Sequence, residues 1–144
     1  MTKSVAGVFR PSFRTRMSRP LVLYRVAAGF PSPAEDYIEG RIDLNRDLIR
    51  HPIATFYIRV AGDSMTGEGI DAGDLLIVDR AAETCDGHIV VARIGDELCV
   101  KRLCIERNGT IWLMSANDDY PPIEIKDCMD FEVWGRVVWS LKPH

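Results

Sequence analysis

The sequence predicts a mainly β protein, a curled and partly closed antiparallel fold that carries a flexible N-terminal arm and one or two short helices. Three observations predict it. Six apolar or alternating runs bounded by turn residues follow one another at short spacing. Two of them are joined by Gly95-Asp96, a two-residue hairpin turn. No helical segments alternate with the runs as βαβ units would require.

Taken in chain order, residues 1–28 come first, with Lys3, Arg10, Arg14, Arg16, Arg19 and Arg25 and no acid, a charge of +6. Residues 29–144 carry −9, so a basic arm precedes an acidic body. A secretory signal needs roughly 7 to 15 unbroken apolar residues, and Arg25 interrupts "PLVLYRVAAGF" too soon. An arginine-rich leader also resembles a mitochondrial transit peptide, and that alternative stays open. A nucleic-acid-binding tail would find no second contact surface on an acidic body, and 28 residues are too few for a supported helix-turn-helix. The next segment, "VAAGFPSPAED", sets small Val26 and Ala28 at alternate positions before Gly29, while Pro31 and Pro33 delay any helix. Such a stretch is either a plain linker or a strand suited to a narrow cleft.

The body opens with "SPAEDYIEGRIDLNRDLI", where Ser32, Pro33 and Glu35 form a capping box that predicts a short helix or two before His51-Pro52. Strands are then predicted at 55–61, 74–79, 88–94, 97–103, 110–114 and 131–141. In the last of these, Trp134, Val138 and Trp139 present more apolar surface than a lone edge strand should expose, which suggests a homodimer contact; the alternative is that all of it is core.

Composition excludes several classes. A chain of 144 residues is most economically one domain, and 47% hydrophobic with 27% charged residues reads as soluble and globular, not membrane-bound. Cys85, Cys99, Cys104 and Cys128 form no C-x-x-C pair and no cluster with histidine, so neither a metal site nor a cofactor is indicated. Their usage fits a reducing, cytoplasmic compartment.

The chemistry concentrates in "GDSMTGEGIDAGDLLIVD", residues 62–79, where Ser64 stands in a glycine-studded turn. His51, His88 and His144 give no convincing Ser/His/Asp order. Lys101 is the better partner: in "ELCVKRL" the strand period places it between Cys99 and Leu103 on one face, where desolvation would favour its neutral, proton-accepting form. A surface lysine on an amphipathic strand is the plain alternative.

The ordered blocks "GDSMTGEGIDAGDLLIVDR", "DGHIVVARIGDELCVKRL" and "NDDYPPIEI" resemble the LexA and UmuD family of self-cleaving serine proteases over nearly the whole chain. "AAGFPSPAEDYIEGRIDLNRDLIRHP" resembles the UmuD branch, accessory subunits of an error-prone polymerase. The resemblance implies a fold like LexA and signal peptidase, with Ser64 as nucleophile and Lys101 as general base. It also implies cleavage at Ala28-Gly29, which would remove arm 1–28 from body 29–144. The partners implied are a second copy in a homodimer, a RecA filament on single-stranded DNA that stimulates cleavage, and a UmuC-like Y-family polymerase for translesion synthesis in the SOS response. Without the DNA-binding domain of LexA-type repressors, no direct sequence-specific DNA binding is expected. His88, where the family often has aspartate, is read as a surface change, and the arm before Arg25 shows little similarity to UmuD. Two rival functions remain beside this one, a dimerisation module with an idle dyad and a protease acting on other proteins.

Overall fold

The computed structural model describes residues 5–12, 18–22 and 38–144. Two compact units form, one from Met1–Pro11 with His51–His144 and the other from Ser12–Arg50.

In the smaller unit, β2 (Ser18–Val22) pairs antiparallel with β3 (Ile38–Asp43), and α1 (Leu44–Leu48) follows. The Asp43 side chain accepts from the Asn45 N–H, and the Asp43 N–H donates to Asp47, so the helix starts at a reciprocal cap. The predicted Ser32–Glu35 box lies outside the described residues. Part of the stretch read as helical, Ile38–Asp43, is strand; Gly40, which costs a helix about 1 kcal/mol, sits in its middle and pairs with Leu21.

The larger unit is one curled eight-stranded sheet. Its strands are β1 (Val5–Phe9), β4 (Thr55–Val60), β5 (Leu75–Asp79), β6 (Ile89–Ile94), β7 (Glu97–Ile105), β8 (Ile111–Met114), β9 (Ile123–Ile125) and β10 (Phe131–Leu141). They lie in the order β1-β4-β5-β10-β6-β7-β8-β9, and every neighbouring pair is antiparallel. The six predicted strands are all present, and β6 and β7 meet at the Gly95-Asp96 turn, where Gly95 takes a φ of 58°. Val5–Phe9, within the segment read as an arm, adds an edge strand to β4.

The curl comes from β10. Its first half pairs with β6 and its second with β5, and register shifts fall between Val133 and Gly135 and between Val137 and Trp139. Such bulges bend a strand and increase its twist, which lets one strand serve two neighbours at an angle. Gly135 sits at the bend because a Cβ there would meet Val78 Cγ1 at 2.7 Å.

Both faces of the sheet are covered at its centre. Ile58, Val60, Met65, Ile70, Leu76, Val78, Val91 and Val100 form one cluster. Val90, Ala92, Cys99, Leu103 and Leu113 form another, closed by Ile123 and Ile125 of β9 and Phe131 and Val133 of β10. β7 contributes to both by alternation: Leu98 and Val100 to the first, Cys99 and Leu103 to the second. Among the described residues, no helix is long and apolar enough to cross a membrane.

Candidate active site

The Ser64 turn links β4 to β5. Leaving Val60, the chain passes Gly62 with a left-handed φ of 78°, runs through Asp63–Met65, and enters a single 3-10 turn at Thr66–Glu68 that ends at Gly69. Met65 and Ile70 are buried in the first core cluster and anchor the turn from both ends. Ser64 itself is 6% exposed.

A second segment, residues 115–120 after β8, clamps this turn. The Ala116 N–H donates to the Ser64 carbonyl at 2.8 Å, and the Gly67 N–H donates to the Ala116 carbonyl at 2.7 Å. Asn117 Nδ2 donates to the Asp63 carbonyl at 3.0 Å, and the Tyr120 hydroxyl donates to Asp63 Oδ1 at 2.5 Å. Gly67 is required for the approach, because a Cβ there would stand 2.4 Å from the Ala116 carbonyl oxygen. The N–H groups of Thr66, Gly67, Glu68, Gly69 and Ile70 all have acceptors. Those of Ser64 and Met65 have none among the described residues. Backbone donors of buried residues are nearly always paired, and these two adjacent ones, in residues 6% and 2% exposed, depart from that rule.

Lys101 lies on β7 opposite Val90 of β6 and is only 4% exposed. The period-two reading holds: it sits between Cys99 and Leu103 on the face of the second core cluster. Burial pushes its pKa below the ordinary lysine value, with Cys99 pulling weakly the other way. Its Nζ stands 5.4 Å from the centroid of the Tyr120 ring, the residue whose hydroxyl holds Asp63. The next residue on the strand, Arg102, donates through Nε to Glu68 Oε1 at 3.1 Å and forms an ion pair with it. Two ties therefore gather the Ser64 turn and the Lys101 strand into one region, Arg102 to Glu68 and Tyr120 to Asp63.

Ala28 and Gly29 lie outside the described residues. His88, read as a surface change, has a local structural contact: its Nδ1 accepts from the Cys85 N–H at 3.0 Å. Sequence reasoning missed Ala116, Asn117 and Tyr120 as parts of the site. For Asn117 and Tyr120 the signal was present in "NDDYPPIEI", a block that carried the resemblance without being given a role. Among the described residues no group of histidine, cysteine and acidic side chains is arranged to hold a metal ion.

Known proteins give the geometry its context. The chain is 42% identical over 139 residues to Protein MucA of Salmonella typhimurium, a match covering 95% of this chain and 94% of that protein. It is 44% identical over 114 residues to Protein SamA of the same species, covering 79% and 80% of the two chains. It is also 44% identical over 131 residues to LexA repressor 1 of Pseudomonas syringae, covering 88% of this chain and 62% of the repressor. The sequence profile described as Peptidase S24-like matches residues 20–138. The chain belongs to the Peptidase S24-like family, in the group of UmuD-like relatives.

Proposed function

We propose that the protein is a self-cleaving serine protease in which Ser64 attacks the chain's own Ala28-Gly29 bond with Lys101 as general base. The observation that carries this reading is the burial of Lys101 on an apolar face, its Nζ 5.4 Å from the ring centroid of Tyr120, whose hydroxyl donates to Asp63 next to Ser64.

The steps follow from those groups. A serine hydroxyl is a weak nucleophile until a base removes its proton, and a lysine kept neutral by desolvation serves without histidine. Lys101 Nζ takes the proton as Ser64 Oγ bonds to the Ala28 carbonyl carbon. The carbonyl oxygen, now an anion, is received by the Ser64 and Met65 N–H groups, fixed dipoles that need no reorganisation. Collapse of the adduct breaks the bond to Gly29 N, and the proton on Lys101 passes to that leaving amine. Water, deprotonated by the again-neutral Lys101, then attacks the acyl carbon, and that proton passes from Lys101 to Ser64 Oγ as the ester bond breaks. Small residues at 26 and 28 suit a constricted subsite, and cleavage leaves a body of net charge −9.

By its relation to the UmuD-like proteins, the trimmed body acts as a homodimer in SOS mutagenesis. A RecA filament on single-stranded DNA stimulates the cut, and a UmuC-like Y-family polymerase receives the product for translesion synthesis. Intact-mass analysis of purified protein, incubated with and without such a filament, tests this. The expected product begins at Gly29, forms faster with the filament, and is absent in Ser64→Ala. An intact chain under both conditions would favour the idle-dyad dimerisation module instead.

A further inference from the structure

The segment after β8 supplies one residue that touches both halves of the site. Tyr120 is half-buried, its hydroxyl donates to Asp63 Oδ1 at 2.5 Å, and Lys101 Nζ lies over its ring, 5.4 Å from the centroid. A hydroxyl-to-carboxylate separation of that length belongs to the charge-assisted class, the stronger kind of hydrogen bond. Asp63 is the residue immediately before Ser64, and its backbone carbonyl is held by Asn117 of the same segment. Fixing the Asp63 side chain therefore restricts the torsions that aim the Ser64 hydroxyl.

We propose that Tyr120 is a positioning residue that sets the nucleophile turn against the general base, its hydroxyl fixing Asp63 and its ring roofing the Lys101 amine. This rests on the reading of Ser64 and Lys101 as nucleophile and base. The two ends of the side chain do different work. The hydroxyl governs where Ser64 points, and a small misplacement of a reacting group costs up to roughly 10²-fold in rate. The ring governs how much water reaches Lys101. An aromatic face attracts the ammonium form, but it also excludes solvent, and burial is the dominant influence on this lysine. Among the described residues, the strand neighbours of Lys101 are mostly apolar. Val90 of β6 lies opposite it, Cys99 and Leu103 flank it on β7, and Leu113 of β8 lines the same face; of these only Cys99 titrates.

The two ends separate by substitution. Tyr120→Phe keeps the ring and loses the hydroxyl, so self-cleavage should slow by roughly 10- to 100-fold with the midpoint of its pH profile unchanged. Asp63→Ala should slow it equally, and the double variant should be no slower than either, because both remove one interaction. Asp63→Asn, which keeps an accepting oxygen but not its charge, should recover part of the rate. Tyr120→Ala opens the roof to water, so the midpoint should move upward toward the ordinary lysine range.

A readout that needs no cleavage keeps this apart from the parent reading. In an uncleavable Ser64→Ala background, the ¹³Cε signal of Lys101 should titrate at higher pH once Tyr120→Ala is added. If that shift occurs, the roofing role stands even for a protein that never cuts itself. A Lys101 titration unmoved by Tyr120→Ala, or Tyr120→Phe cleaving at the wild-type rate, overturns the proposal.

Discussion

Lys101 is a buried amine that weakens the fold while it stays protonated, and the sign of that effect is testable. Its pKa is held below the ordinary value of 10.5 by burial. Between the depressed value and 10.5 the unfolded chain binds more protons than the native one, so stability rises with pH through that window. Below the window the full cost is present. Lys101→Met in a Ser64→Ala background should therefore stabilise the body by about 1 to 2 kcal/mol at neutral pH and below. The advantage should shrink toward pH 10, as read from urea midpoints; an advantage constant with pH would mean the native lysine is not desolvated. This residue was legible in the sequence because a period of two brackets it with Cys99 and Leu103. Tyr120 was not legible, because it reaches Asp63 across a separation of 57 residues and only the folded sheet brings them together.

Among elements, the same contrast between local and long-range information recurs. Strands β4, β5, β6, β7, β8 and β10 are runs long enough to carry their own pattern, and the turn chemistry between β6 and β7 is written in Gly95-Asp96. β9 is three residues placed just after two prolines, and it exists because Ile123 and Ile125 close the second core cluster. β1 is apolar but short, and its pairing depends on β4 being there to receive it. The register shifts of β10, which curl the sheet, leave only Gly135 as a trace in the sequence. The contact between the Ser64 turn and the segment after β8 is backbone to backbone, which makes it sensitive to a single methyl group. Gly67→Ala would force a Cβ to within 2.4 Å of the Ala116 carbonyl oxygen, and backbone cannot yield as a flexible side chain does. The expected cost is about 1 to 3 kcal/mol, concentrated in this contact. Self-cleavage should be lost while circular dichroism still reports the folded sheet; normal cleavage in Gly67→Ala would mean the clamp does not hold the nucleophile.

For the whole molecule, exposed apolar side chains occur at several places, Ile53 at 91% among them, and two of them stand in one register row that also holds buried Ile77. Phe9, Tyr57, Ile77 and Trp139 are register partners in turn across β1, β4, β5 and β10, which puts them in one row on one face. Phe9 is 55% and Trp139 49% exposed. Trp134 is committed within the chain, its ring 5.1 Å from Phe56 and under the Arg80 guanidinium at 4.5 Å. The homodimer contact inferred for the C-terminal strand is thus better carried by Trp139 than by Trp134. Trp139→Glu should shift sedimentation from dimer to monomer at micromolar concentration without unfolding the sheet, and a dimer that survives this substitution would move the contact elsewhere.

In the proposed reaction the turn, the strand and the clamp meet in one event, the transfer of the Ser64 proton to a neutral Lys101. Its most direct test is the rate at which the body beginning at Gly29 appears by intact mass, without any filament, from about pH 7 to pH 10. The wild type should accelerate across that range as Lys101 loses its proton. Lys101→Arg, protonated throughout, should stay uncut while remaining folded. A rate flat with pH in the wild type, or normal cutting in Lys101→Arg, would contradict the account.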